Sequence, residues 1–264
     1  MPFHQPDSIR YYTFDLLIDV HVVHAAITRR GGISPEPWSS LNVGGTVGDD
    51  SDRVLENRRR TIQALGLPFG SLYDVWQVHG KRVVYAQAPR PINMPHLKAD
   101  AILTNQPGVA LFMRFADCVP IFLFDPLRNV IGLVHAGWQG TVNRIAAEAI
   151  LAMGDRYGSQ PENILAGIGP SIGPHHYQVG SDVIKKVQET FGGDASELIY
   201  FEDQAEEDNR AQFDLWRSNR LILEQAGVRE IEVSGVCTAC HLEDWYSHRG
   251  EKGRTGRFGA LIAL

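Results

Sequence analysis

The sequence predicts a layered α+β fold in a single domain spanning 1–264. Three observations carry that reading. Short strand-like runs follow one another closely, four helical patterns stand apart from them, and no repeat, low-complexity tract or linker-like shift interrupts the chain. The composition is 44% hydrophobic and 21% charged, with 26 Gly and 14 Pro, a globular balance. A core of this size needs no disulfide staple.

In chain order, residues 1–22 form an N-terminal segment whose start, MPFHQPDSIRYY, lacks the charged and apolar regions of a secretion signal. A first helix is expected over Ser51–Leu65, with acidic residues at its start and Gly66 after its end. Strand patterns follow at Leu72–Val78, Arg82–Ala86, Ala99–Thr104, Val109–Phe115, Pro120–Phe124 and Val130–His135. Turn signals at Gly80, Pro107-Gly108 and Asp125-Pro126 break them, and the spacing suits a meander better than βαβ alternation. A second helix over Thr141–Tyr157 places Ile145, Ala149, Ile150 and Met153 on one face. A third, Ser181–Phe191, takes Ser181 as N-cap and carries Val183, Ile184, Val187 and Phe191 at helical spacing. The charged run Glu202 to Arg210 reads as an exposed loop or short solvated helix. The fourth helix, Asp214–Ala226, is capped by Asp214 and closed by Gly227.

The formal charge of −6 and isoelectric point near 5.9 argue against a nucleic-acid partner, which needs a concentrated basic face. Arg58-Arg59-Arg60, the only tight basic run, lies in the first helical pattern and reads as a solvated face. No apolar stretch reaches the roughly 18–20 residues that span a bilayer, so no membrane partner is expected. The reading is a cytoplasmic protein, monomeric or a weak homodimer. Cys118, Cys237 and Cys240 are an odd number in a reducing compartment, which favours metal binding or nucleophilic chemistry over a disulfide framework.

Three polar residues fall at strand ends: His79 in Trp76-Gln77-Val78-His79-Gly80, Cys118 in Ala116-Asp117-Cys118, and His135 in Val134-His135-Ala136-Gly137-Trp138. A thiolate and two imidazoles suit Zn²⁺, and three protein ligands leave one position for water or substrate. Taken singly, each is more readily a buried thiol or a hydrogen-bonded histidine. Gly167–Gly173 and Gly44–Gly48 match no nucleotide-loop pattern and read as turns requiring positive φ. Gly137 and Gly140, before the Thr141 helix, could present backbone N–H groups to an anion.

The ordered runs make the chain recognisable. Arg29-Arg30-Gly31-Gly32-Ile33-Ser34, Ser40-Leu41-Asn42-Val43-Gly44, Glu56-Asn57-Arg58 and Gln77-Val78-His79-Gly80 are followed by Ala99-Asp100-Ala101 and Ala116-Asp117-Cys118. His135-Ala136-Gly137-Trp138, Gly167-Ile168-Gly169-Pro170-Ser171-Ile172-Gly173 and Cys237-Thr238 complete the set. The chain resembles the YfiH/FAMIN family, also called laccase-domain or multicopper polyphenol oxidase proteins, from about Ala25 to its end. The resemblance implies a four-layer α/β/β/α sandwich with mixed sheets and zinc on His79, Cys118 and His135. It also implies phosphorolysis of purine nucleosides (adenosine, inosine, guanosine, methylthioadenosine) together with adenosine deamination. Two departures stand out: Gln139 replaces a family Arg, and Trp245-Tyr246-Ser247-His248-Arg249 varies a family Phe-Phe-Ser-Tyr-Arg pattern.

Around the three ligands, Asp117 is a candidate to protonate the purine or orient a ligand, or else a turn residue capping backbone N–H groups. Arg29 and Arg58 are candidate phosphate clamps, because a guanidinium matches phosphate bidentately. Asn42, Gln77 and Cys237 join them as candidate substrate-binding residues. Cys237-Thr238-Ala239-Cys240-His241 matches the c-type haem attachment pattern; export and a haem-binding fold are not indicated. A second, structural metal site there is a stronger expectation, and partly buried cysteines, with Cys237-Thr238 lining the pocket as the resemblance implies, a stronger one still. Four-copper oxidase chemistry fits poorly with ten His and no His-x-His pair, though one copper could occupy the zinc site. The rival readings are a Cys118–His135 hydrolase acting on cell-wall precursors, and a non-enzymatic partner-binding protein with a structural zinc.

Overall fold

Alternation along the central strands decides the layering. In Ala110–Phe115, Leu111, Met113 and Phe115 enter one core while Ala110 and Phe112 enter another. In Val119–Asp125, Phe122 and Phe124 share the first of these cores, whereas Val119, Ile121 and Leu123 face a third. Strands buried on both faces at period two form inner layers, and helices must cover the outer faces.

The computed structural model describes residues 2–5, 7–18, 20–201 and 210–264. Its elements run β1 (Phe3–His4), β2 (Tyr11–Tyr12), β3 (Val23–Ile27), α1 (Ser51–Ala64), β4 (Leu72–Asp74), β5 (Val83–Tyr85), β6 (Ala101–Thr104), β7 (Ala110–Phe115), β8 (Val119–Asp125) and β9 (Val130–Ala136). They continue with α2 (Trp138–Val142), α3 (Ile145–Tyr157), β10 (Leu165–Ile168), β11 (Gln178–Gly180), α4 (Ser181–Phe191), β12 (Ile199–Tyr200), β13 (Arg210–Phe213), α5 (Leu215–Gln225), β14 (Glu230–Val233) and β15 (Phe258–Ala263).

One sheet has the order β1-β2-β3-β15-β7-β4, the other β14-β10-β8-β9-β6-β5, and both mix parallel with antiparallel pairs. The sheets face each other across a core that includes Phe14, Phe115, Phe122, Trp245 and Phe258. Ile62 of α1 covers the outer face of the first sheet, and Ile145, Ala149, Met153, Ile222 and Leu223 of α3 and α5 cover the second. The result is the expected α/β/β/α sandwich. A three-stranded sheet, β11-β13-β12, sits beside it.

Several local expectations change. The six central strands are not a simple meander: β4 and β7 belong to one sheet, β5, β6, β8 and β9 to the other. The predicted Thr141–Tyr157 helix is two helices, because Arg144 adopts φ 58, a left-handed conformation that breaks the ladder between α2 and α3. Helix α2 begins at Trp138, so Gly140 lies inside it, and its five residues make no anion-binding terminus. The N-cap of α4 is Gly180 rather than Ser181, whereas Asp214 caps α5 by accepting from Arg217 N at 2.9 Å. Gly167 is required for close packing, not positive φ: an added Cβ would lie 2.8 Å from the Phe14 ring. Of the charged run Glu202 to Arg210, residues 202–209 lie outside the described residues, and Arg210 opens β13.

Candidate active site

The chain crosses from the first sheet to the second in three residues, Ala116-Asp117-Cys118, between β7 and β8. Asp117 makes the turn with φ 81, which Asp tolerates better than most residues. Its Oδ1 accepts from Thr238 Oγ1 and its Oδ2 from Arg249 N, both at 2.7 Å. That anchorage aims Cys118 at the end of neighbouring β9, where His135 pairs with Pro120 in register. His79 arrives on the loop after β4, also with positive φ, 59°. Donor atoms of His79, Cys118 and His135 all lie within 4.8 Å of one another. Gly137 leaves room for them: a Cβ there would sit 2.9 Å from Cys118 Sγ and 3.0 Å from His79 Nδ1.

Asp100 organises this set from behind. It accepts the backbone N–H groups of Val78, His79 and Gly80, and His135 Nδ1 donates to it at 2.9 Å. Burial pushes the carboxyl up, but His135 and these N–H donors hold it below the usual carboxylate range. Burial likewise opposes ionisation of Cys118, yet the two imidazoles bring its thiol down to about 6. His135, disfavoured as a cation by burial, is carried up to about 9 by Cys118 and Asp100. A metal ion would displace the proton from His135, and the resulting thiolate and carboxylate-braced neutral imidazole are donors that suit a borderline-soft divalent ion such as zinc.

A cavity of about 740 Å³ opens over the three donors. Its walls include Arg58, Trp76, Gln77, Arg114, Tyr177, Arg249 and Arg257. On one side the buried carboxylate of Asp74 binds Arg114 at 2.9 Å, Arg90 at 2.7 Å and Arg58 at 3.8 Å, with His96 at 3.0 Å. Three guanidiniums share one carboxylate, leaving an excess of positive charge of which Arg58 and Arg114 face the cavity. Burial lowers Arg58 to about 10, still a cation at neutral pH. A smaller adjoining cavity of about 200 Å³ is lined by Gly137, Trp138 and Gln139.

The predicted site residues separate into two groups. His79, Cys118, His135, Asp117, Arg58 and Gln77 line the cavity. Gln77 also bridges the backbone of Arg114, donating to its O at 2.8 Å and accepting from its N at 3.0 Å. Arg29 does not reach the cavity: its guanidinium donates to Ser39 O and Leu242 O, pairs with Glu251 at 2.9 Å and stacks on Tyr246. Its place as a phosphate clamp is therefore corrected to one of holding loops together. Asn42 is buried one step back, its Oδ1 accepting from Gly44 N and Arg257 N, both of cavity-wall residues. Cys237 is also off the wall, buried against His176 and Cys240. Sequence reasoning assigned no role to Asp100, Asp74, Arg114 or Arg257, whose partners lie far away in the chain. Asp100 had one visible signal, its place inside the motif Ala99-Asp100-Ala101.

Residues 23–264 match the family model described as multi-copper polyphenol oxidoreductase laccase. The chain belongs to that family, the YfiH family. Among YfiH-family structures, YlmD from Geobacillus stearothermophilus matches with a TM-score of 0.91 and 33% identity over 99% of this chain and 98% of its own. A YfiH protein of Bacillus licheniformis matches at 0.90 and 32%, covering 100% and 99%. A purine nucleoside phosphorylase of Deinococcus radiodurans is 41% identical over 92% of this chain and 89% of its own. The purine nucleoside phosphorylase YlmD of Bacillus subtilis is 34% identical over 92% and 88%.

Proposed function

We propose that this protein is a zinc-dependent purine nucleoside phosphorylase, splitting adenosine, inosine, guanosine or methylthioadenosine with phosphate into free base and the sugar 1-phosphate. Adenosine deamination is a second activity of the same centre. One observation carries this reading: a His79–Cys118–His135 donor set with an open face shares its cavity with Arg58 and Arg114, two of three guanidiniums gathered around the single carboxylate of Asp74. The names of the relatives agree with it. The cavity volume also falls in the range of about 300–1,000 Å³ typical of small-molecule sites.

His79, Cys118 and His135 would hold the ion, which supplies Lewis acidity and a template for an oxygen of the sugar or phosphate. The chain's own residues do the rest. Arg58 and Arg114 attract and orient the phosphate dianion, their forks matching its oxygens. Half-exposed Trp76 offers a flat face for the purine. Asp117, both oxygens already accepting hydrogen bonds, positions Arg249 on the wall. Metal-quantified protein incubated with adenosine or inosine should release base and sugar 1-phosphate only when phosphate is present. Equal turnover by His79→Ala would refute the assignment.

A second reading rests on the lowered thiol of Cys118 beside His135, an arrangement able to attack an amide in a cell-wall precursor. Stoichiometric zinc that shields Cys118 from iodoacetamide would remove it. Copper in the same site with phenol oxidation has weaker support. Among the described residues only two His/Cys/Asp/Glu groups could hold a metal, short of a four-copper set.

A further inference from the structure

We propose that His175, His176, Cys237 and Cys240 form a second metal site, closed and structural, suited to zinc. The four side chains offer one donor atom each, and all four atoms lie within 4.8 Å of one another. His175 Nε2 stands 3.1 Å from Cys240 Sγ, and His176 Nδ1 stands 3.6 Å from Cys240 Sγ and 3.7 Å from Cys237 Sγ. Two sulfurs and two imidazoles with no carboxylate exclude the hard cations Mg²⁺ and Ca²⁺ and select a borderline-soft tetrahedral ion. Four protein ligands complete a tetrahedron and leave no open position. That separates this site from the three-donor centre, where one face is free.

The backbone is arranged for the same end. The Cys-x-x-Cys spacing puts both sulfurs on one short loop after β14, while the adjacent histidines come from the turn Pro174–His176. Gly173 N donates to Cys237 Sγ at 3.2 Å, tying the sulfur to the segment that carries the histidines. Binding would release the protons of both thiols to solvent and engage both imidazoles in their neutral form. Neither Cys237 nor Cys240 is joined in a disulfide, so both sulfurs can ligate.

The site would act as a staple between segments 61 residues apart in sequence. Those segments already touch, Thr238 N donating to Ser171 O at 3.0 Å. Next to them, Thr238 Oγ1 braces Asp117 and Tyr177 lines the cavity, so the staple would support one wall of the active site.

The test compares full-length protein with the His175→Ala/Cys240→Ser double variant, two exposed positions outside the cavity wall. Both are stripped by chelation, reloaded with Zn²⁺ or Co²⁺, and counted by native mass spectrometry. The variant should carry one ion per chain fewer than the wild type, whatever the occupancy of the other centre. Its Co²⁺ form should also lose the tetrahedral d–d and thiolate charge-transfer bands of a two-sulfur site. Equal stoichiometry and spectra overturn the proposal. A second measurement needs no variant: added zinc should protect wild-type Cys240 from alkylation. Equal labelling with and without zinc, or a Cys237–Cys240 disulfide in zinc-replete protein, overturns it as well.

Discussion

His135 Nδ1 donates to Asp100 Oδ1 across 2.9 Å, and the same carboxylate accepts the backbone N–H of His79, also at 2.9 Å. One buried acid thus orients two imidazoles, the first through its ring and the second through its main chain. It also leaves Nε2 of His135 as the nitrogen free to ligate. Groups that orient metal ligands in this way contribute about 10–100-fold to metal affinity. Asp100→Asn keeps the shape but removes the charge, so chelator-competition titration should show zinc affinity falling by roughly that factor. Unchanged affinity would show that the ligand geometry survives without the carboxylate.

Gly137→Ala places a methyl group 2.9 Å from Cys118 Sγ and 3.0 Å from His79 Nδ1, distances at which something must move. Its φ of −74° is ordinary for alanine, so backbone strain plays no part. The variant should fold with native circular dichroism and lose most of its metal, with phosphorolysis falling at least about 10-fold. Full metal occupancy in the folded variant would contradict the steric argument.

Arg58 is tied to Val43 O at 2.9 Å and to Asp74 at only 3.8 Å, leaving its guanidinium able to engage an anion. Arg58→Gln should raise KM for phosphate about 10-fold or more, the weight of one charge-assisted hydrogen bond of roughly 1.5–3 kcal/mol. KM for the nucleoside should change far less. Initial-rate kinetics with each substrate varied separately decides it; an unaltered phosphate KM removes Arg58 from that role.

His24 is buried between the sheets, where its Nε2 accepts from Phe14 N at 2.9 Å. Burial lowers it from 6.5 to about 4, so folding selects the neutral ring. A histidine depressed in the folded state stabilises fully above its unfolded value and progressively less as pH falls through the window from 6.5 to about 4. The loss across that window is roughly 3 kcal/mol. Urea unfolding followed from pH 7 to pH 4 should therefore be shallower for His24→Gln than for the parent. Parallel pH profiles would count against a buried neutral His24.

Much of the fold was readable before any coordinates. Val109–Phe115, Pro120–Phe124 and Val130–His135 became β7, β8 and β9 with no end shifted by more than one residue, because alternation between two cores leaves a strong period-two signal. Strands β10, β14 and β15 were missed; Leu165–Ile168 and Phe258–Ala263 contain internal glycines that weaken a strand pattern. The break at Arg144 was invisible because nothing in the residue type demands φ 58.

The amino-acid order by itself determined the element types, the period that splits each inner strand between two cores, and a thiol with two imidazoles, of which Cys118 and His135 sit at strand ends while His79 lies on the loop after β4. Only the tertiary structure decided that β7 and β8 belong to different sheets, which turns Ala116–Cys118 into a crossing that presents Cys118 to His135. It alone brought Arg58, Arg90, His96 and Arg114 around Asp74, and paired His175 and His176 with Cys237 and Cys240. The reason is physical: local patterns record which face of an element is apolar, whereas charge clusters and ligand sets depend on how those faces pack across long stretches of chain.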